Sequence, residues 1–230
     1  MKKIIITGNS GKTIFSYFLA QKMSKTQKVV LVSTDSEKSI FKCLFPLSTE
    51  KDNEKSLAKL LADPVVTKKD IYENSHIIND NLLLICNREI QENFPEPTQI
   101  NCAKLFMGID SIADTLIIDT SDSLFDKYVM ASQKKTIISV TTKDLRGYHY
   151  RLKHGESDIN FFWGKETEQD IGKTFKEKPL SLPFVKQFSA IYSTDDINNI
   201  SLPKKYKNLV NLCVEKIEKE NLSENEATNV

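Results

Sequence analysis

The sequence predicts an α/β fold, a doubly wound and mainly parallel sheet with helices on both faces, in a single domain over residues 1–220. Three observations predict it. Apolar runs of strand length at residues 3–7, 28–33, 82–86, 115–119 and 135–140 carry Val, Ile and Leu without polar alternation, as strands buried on both faces do. Segments with apolar residues at helical spacing lie between these runs. The two kinds alternate along the chain, with no internal repeat and no linker rich in Pro, Gly or Ser to divide it.

The first strand, Lys3-Ile4-Ile5-Ile6-Thr7, stops at a glycine turn. Residues 12–23 follow as a helix, because Ile14, Phe15, Phe18, Leu19 and Met23 recur at helical spacing. The second strand, 28–33, ends at Thr34-Asp35-Ser36, which completes a βαβ unit of about 30 residues with a right-handed crossover. Residues 56–61 read as a helix, 82–86 as a buried strand, and 101–112 as a helix with Leu105, Phe106, Ile109 and Ile112 on one side. The clearest inner strand is 115–119; a helix over 123–132, a strand over 135–140 and a strand over 159–163 follow, with Phe161-Phe162-Trp163 expected inside the sheet. Residues 203–220 form an amphipathic helix that docks Tyr206, Leu209, Val210, Cys213 and Ile217 on the core. Residues 221–230 are polar and acidic, and a disordered tail is expected there.

Composition excludes several classes. At 230 residues, 40% hydrophobic and 27% charged, the chain can build a core and is neither disordered throughout nor a membrane protein. No stretch approaches the ~18 apolar residues of a membrane span, and the three isoleucines after Met1-Lys2-Lys3 are too few for an export signal. A cytoplasmic protein is expected. The net charge of +1 gives no global bias toward nucleic acid. Cys43, Cys86, Cys102 and Cys213 form no CxxC and no cluster with histidine, so free thiols are expected rather than disulfides or a zinc site. His76, His149 and His154 are dispersed, without the spacing of a catalytic triad or a metal site.

Glycine is scarce: the chain has 7, where an average usage of roughly 7% would give about 16. Gly8 and Gly11 nevertheless fall together between the first strand and the first helix. In Thr7-Gly8-Asn9-Ser10-Gly11-Lys12-Thr13 a tight turn and a helix N-terminus aim backbone N–H groups and the positive end of the helix dipole at one spot, which makes an anion site. Gly8, Asn9, Ser10 and Gly11 supply the loop, Lys12 reaches β- and γ-phosphates, and the Thr13 hydroxyl binds Mg²⁺. Asp119 closes the strand Leu116-Ile117-Ile118, where a phosphate-loop NTPase needs a carboxylate for the magnesium shell. Asp35 follows the second strand, and the carboxyl ends of parallel strands share one edge, so Asp35, Asp119 and the loop converge.

In these features the sequence resembles the MinD/ParA group of phosphate-loop ATPases, which includes partition, septum-positioning and pilus-assembly ATPases. The resemblance runs from Lys3 to about Val140, through the Gly11-Lys12-Thr13 loop, the strand ending in Ser33-Thr34-Asp35, the Leu-rich helix at 56–61, and Asp114-Thr115-Leu116-Ile117-Ile118-Asp119-Thr120 as the Walker B segment. It implies ATP and Mg²⁺ as cofactors, Asp35 as the residue orienting the attacking water, Asp119 as the magnesium residue, and a dimer with ATP between subunits. It also implies a slowly hydrolysing switch that organises a partner assembly in partition, pilus formation, secretion or conjugation. Three positions depart from the group's pattern. Thr7 stands where the group has a lysine that crosses to the partner's ATP, the loop counted from Gly8 is two residues short of the ordinary Walker A, and Ser33 replaces the first acid of the second-strand motif.

Two other functions fit the same fold. A non-catalytic scaffold would keep the architecture and bind nucleotide weakly or not at all, which the short loop favours. A small-molecule kinase or ligase would need a positively charged lid, and only residues 143–153 offer one. There Lys143, Arg146, His149, Arg151, Lys153 and His154 alternate with Tyr148 and Tyr150, and a solvated helix face is expected rather than contact with nucleic acid or membrane.

Overall fold

The computed structural model describes residues 1–34, 56–86, 98–120, 128–129, 135–142, 144–155, 157–163, 180–183, 185–190 and 194–227. In chain order the elements are β1 (Lys2–Gly8), α1 (Lys12–Met23), β2 (Val29–Ser33), α2 (Leu57–Ala62), α3 (Lys68–Glu73), β3 (His76–Asn79), β4 (Leu82–Ile85), α4 (Gln99–Asp110), β5 (Thr115–Asp119), β6 (Thr136–Thr142), α5 (Leu145–His154), β7 (Ile159–Trp163), β8 (Leu180–Leu182), a 3-10 turn (Lys186–Ala190), α6 (Thr194–Asn199) and α7 (Lys204–Ala227). The strands form one sheet in the order β3-β4-β2-β5-β1-β6-β7-β8. Every pairing is parallel except β3 with β4. The doubly wound α/β class is thus the one the sequence predicts.

Period-two alternation divides the core in two. Ile4 and Ile6 of β1 face one side with Leu31, Ile117, Ile138 and Val140, under α1 and α7. Ile5 faces the other with Val30, Val32, Leu116 and Ile118, under α2, α3 and α4. Each such side chain contributes roughly 1.5–3 kcal/mol when fully buried, so β1 is fixed from both faces and its carboxyl end is a rigid platform.

Four local features depart from the sequence reading. Helix α1 buries Ser16 and Tyr17 as well as its apolar face, because α7 and the 3-10 turn cover its outer side. Phe18 stacks on Phe188 with ring centroids 5.7 Å apart and meets Tyr206 edge-on at 6.0 Å. Strands β3 and β8 carried no signal: His76–Asn79 has polar ends and exposes Ile77, and Leu180–Leu182 is three residues long. Helix α7 runs on to Ala227, past the end at residue 220 that the helical pattern suggests. No Pro or Gly lies between Asn221 and Ala227 to stop it. Of the expected helix over 123–132 only residues 128–129 are described, and Asp35 and Cys43 lie outside the described residues. Cys86, Cys102 and Cys213 are buried and form no disulfide. Among the described residues no helix is long and apolar enough to cross a membrane.

Candidate functional site

The loop between β1 and α1 has three residues, Asn9, Ser10 and Gly11. Both glycines are structurally required. Gly8 pairs with Val140 of β6 at φ +147°, and a Cβ there would sit 1.8 Å from the Val140 carbonyl oxygen. Gly11 caps α1 at φ +74°, with Trp163 of β7 so close that a Cβ would fall 2.4 Å from its ring. Helices α2, α3, α4 and α5 begin on side-chain caps from Ser56, Thr67, Thr98 and Asp144. Helix α1 has no side-chain cap, so its first-turn N–H groups and positive dipole end face the loop.

The sheet brings the carboxylate to this point. Asp119, at the end of β5, lies level with Ile6 on one side and Ser33 on the other. Lys12 Nζ is 3.0 Å from Asp119 Oδ1, and the Ser33 hydroxyl lies 3.4 Å from Oδ2. The carboxylate side chain is fully buried and the lysine only 13% exposed. Thr34 donates its N–H and hydroxyl to the Asp119 carbonyl at 3.0 and 3.3 Å, which binds the ends of β2 and β5 together. Thr13 is half-buried in the first turn of α1, where its carbonyl accepts the Ser16 hydroxyl at 2.8 Å. Gly8, Asn9, Ser10, Gly11, Lys12, Thr13 and Asp119 therefore gather at one edge.

The sequence did not reveal what lies across the loop. The Gly8 N–H donates to the Tyr150 hydroxyl at 3.1 Å. Asn9 exchanges two hydrogen bonds of 3.0 Å with Thr142: its amide donates to the Thr142 hydroxyl and its carbonyl accepts the Thr142 N–H. The Thr142 hydroxyl donates to Asp144 at 2.6 Å, and Asp144 caps α5 through the Gly147 N–H and pairs with Arg146 at 2.9 Å. Acceptance from Thr142, then from the Gly147 N–H and Arg146, holds the Asp144 carboxyl down at about 2. Nothing local to residues 143–154 announces this contact, which depends on β6 lying beside β1.

As expected, α5 carries a solvated basic face, with Arg146, His149 and Lys153 exposed. Its Arg151 is instead half-buried, donating to Thr141 and Asn160, with its ionisation lowered to about 10 by burial. Thr7, the position of the missing lysine, is buried within β1 opposite Ser139.

No protein-family model matches the chain, and no characterised protein matches it by sequence. Solved structures do match its fold. A ParA family ATPase from Chlorobium tepidum TLS superposes with a TM-score of 0.73 at 16% identity, over 93% of this chain and 98% of that one. A plasmid partition protein from Borrelia burgdorferi B31, bound to AMPPNP, gives 0.68 at 19% identity over 95% and 99%. The septum site-determining protein MinD from Pyrococcus horikoshii OT3, complexed with Mg-ADP, gives 0.66 at 14% identity over 93% and 95%. The fold is thus the one the ParA and MinD ATPases use.

Proposed function

We propose that the chain binds ATP with Mg²⁺ at the loop between β1 and α1 and acts as a nucleotide-dependent switch that organises a partner assembly. The observation that carries this reading is the placement of Lys12 and the buried Asp119, 3.0 Å apart, directly behind a glycine loop and an uncapped helix N-terminus. Backbone N–H groups of Gly8 to Gly11 would hold phosphate oxygens, and Lys12 would move from Asp119 to the β- and γ-phosphates. The Thr13 hydroxyl and the Asp119 carboxylate are hard oxygen donors of the kind magnesium takes, and they lie on neighbouring elements. Among the described residues no cluster of three or more His, Cys, Asp or Glu could hold a metal alone, so magnesium would arrive with the phosphates. Bound there, it would neutralise charge on the phosphate oxygens. Asp35 as the water-orienting residue comes from the MinD/ParA resemblance. A nucleotide-dependent homodimer would be built without a lysine from position 7, because a threonine stands there, buried within β1.

A second reading, a non-catalytic scaffold, is favoured by the Gly8 N–H and Lys12 both being engaged within the chain, by Tyr150 and Asp119. Calorimetric titration with Mg-ATP, together with sizing on a column with and without it, separates the two. The switch requires saturable binding that Lys12→Ala removes and a nucleotide-dependent change in oligomeric state or partner capture. No binding by the wild-type chain would leave the scaffold.

A further inference from the structure

Strands β1 and β6 are neighbours whose connections part. The chain leaving β1 passes through α1 to β2, beyond β5, and the chain leaving β6 passes through α5 to β7 on the other side. In open α/β sheets such a parting opens a crevice at the carboxyl edge, and ligands bind there. A cavity of about 510 Å³ occupies this place, lined among the described residues by Asn9, Ser10, Thr142, Arg146, His149 and Tyr150. Its wall on α5 carries a guanidinium and an imidazole. The nearby Asp144 carboxylate is engaged by the Thr142 hydroxyl, the Gly147 N–H and Arg146.

A loop of three residues has few N–H groups with which to hold a phosphate chain, and one N–H at its edge, that of Gly8, already carries an oxygen, the Tyr150 phenol. We propose that the cavity between the loop and α5 seats the phosphate chain, with Arg146 and His149 as contacts outside the loop and the Tyr150 hydroxyl as the oxygen the ligand displaces from Gly8. The ligand class is a polyphosphate anion, either the tail of a nucleoside triphosphate or inorganic triphosphate. The proposal rests on the nucleotide reading above and extends its site to α5.

Calorimetric Kd values for Mg-ATP, inorganic triphosphate and adenosine test it on the wild-type chain, Arg146→Gln with His149→Gln, Tyr150→Phe and Lys12→Ala. Arg146 and His149 are exposed, so the double variant keeps its fold; circular dichroism checks that each variant is folded. The double variant is expected to weaken Mg-ATP about tenfold or more, as loss of charge-assisted contacts does. An equal loss for triphosphate assigns the cavity to the phosphate chain whatever carries it, and a loss for ATP with triphosphate binding unchanged places the contacts on the nucleoside and overturns the phosphate seat. Tyr150→Phe keeps the ring, removes the competing oxygen and is expected to tighten both ligands about fivefold. An unchanged Kd in the double variant, with binding lost in Lys12→Ala, overturns the cavity and leaves the nucleotide reading standing. Weaker binding by Tyr150→Phe overturns the displacement. Absence of binding by the wild-type chain to either anion overturns the cavity and the nucleotide reading together.

Discussion

Lys12 Nζ lies 3.0 Å from Asp119 Oδ1 and joins the first turn of α1 to the carboxyl end of β5. The carboxylate has no solvent exposure, so removing the lysine leaves a charge without water to take its place. Lys12→Ala is therefore expected to destabilise the chain by about 3 kcal/mol, as breaking a buried pair does. Asp119→Asn leaves a neutral amide facing a lysine that still has some access to water, and should cost about 1–2 kcal/mol. Urea unfolding of both variants measures the difference, and equal losses below about 0.5 kcal/mol would mean that the pair behaves as a solvated surface bridge.

The two loop glycines are expected to differ in tolerance. A Cβ at Gly8 would meet a main-chain carbonyl of the neighbouring strand, and the backbone of β6 cannot yield without breaking its ladder. Gly8→Ala should cost more than about 3 kcal/mol or prevent folding. At Gly11 the obstacle is the Trp163 side chain, and the positive φ adds roughly 1–2 kcal/mol for an alanine. Gly11→Ala should fold with Trp163 displaced, and because the chain has 1 Trp, a shift in its fluorescence reports this directly.

These residues also show how far the sequence could be read. Ile4, Ile5 and Ile6 are buried on both faces, so the strand, its neighbours and the arrival of Lys12 and Asp119 at one edge followed from pattern alone. Local signals cannot say which helix returns over a loop. The hydrogen bond from Gly8 to Tyr150 spans 142 residues and depends on β6 lying beside β1. Helix α1 was likewise read as one-sided, because nothing within residues 12–23 announces that α7 will cover its other face. Strand β3 was illegible for a related reason, being held by its antiparallel pairing with β4 rather than by its own apolar content.

Asp144 links stability to pH in a defined direction. Its carboxyl is held at about 2, below the usual carboxylate range, by the Thr142 hydroxyl first and then by the Gly147 N–H and Arg146. A depressed folded-state value means that the stabilisation is present above the unfolded value, near pH 4, and is lost as pH falls through about 2. Loss of the helix cap in Asp144→Ala should cost about 1 kcal/mol, with little added for the charge because the group is exposed. The gap between wild type and variant in thermal unfolding should stay constant from pH 7 to 5 and narrow below about pH 4. A gap that widens on acidification would contradict this assignment.

Tyr206 of α7 is buried, and its hydroxyl has no hydrogen-bond partner among the described residues. Burial pushes its ionisation well above the ordinary phenol value. The ring does the packing, meeting Phe18 of α1 at 6.0 Å and Phe188 at 5.7 Å, both edge-on. Phenylalanine keeps those contacts and removes a polar atom that was taken from water, so Tyr206→Phe is expected to be neutral or to stabilise by up to about 1 kcal/mol. Tyr206→Ala opens a cavity under α1 and should cost about 3–5 kcal/mol. Denaturant midpoints for the pair separate the ring from the hydroxyl. Because α7 covers the helix whose first turn carries Lys12 and Thr13, the alanine variant should also weaken any ligand at the loop, and the phenylalanine variant should not.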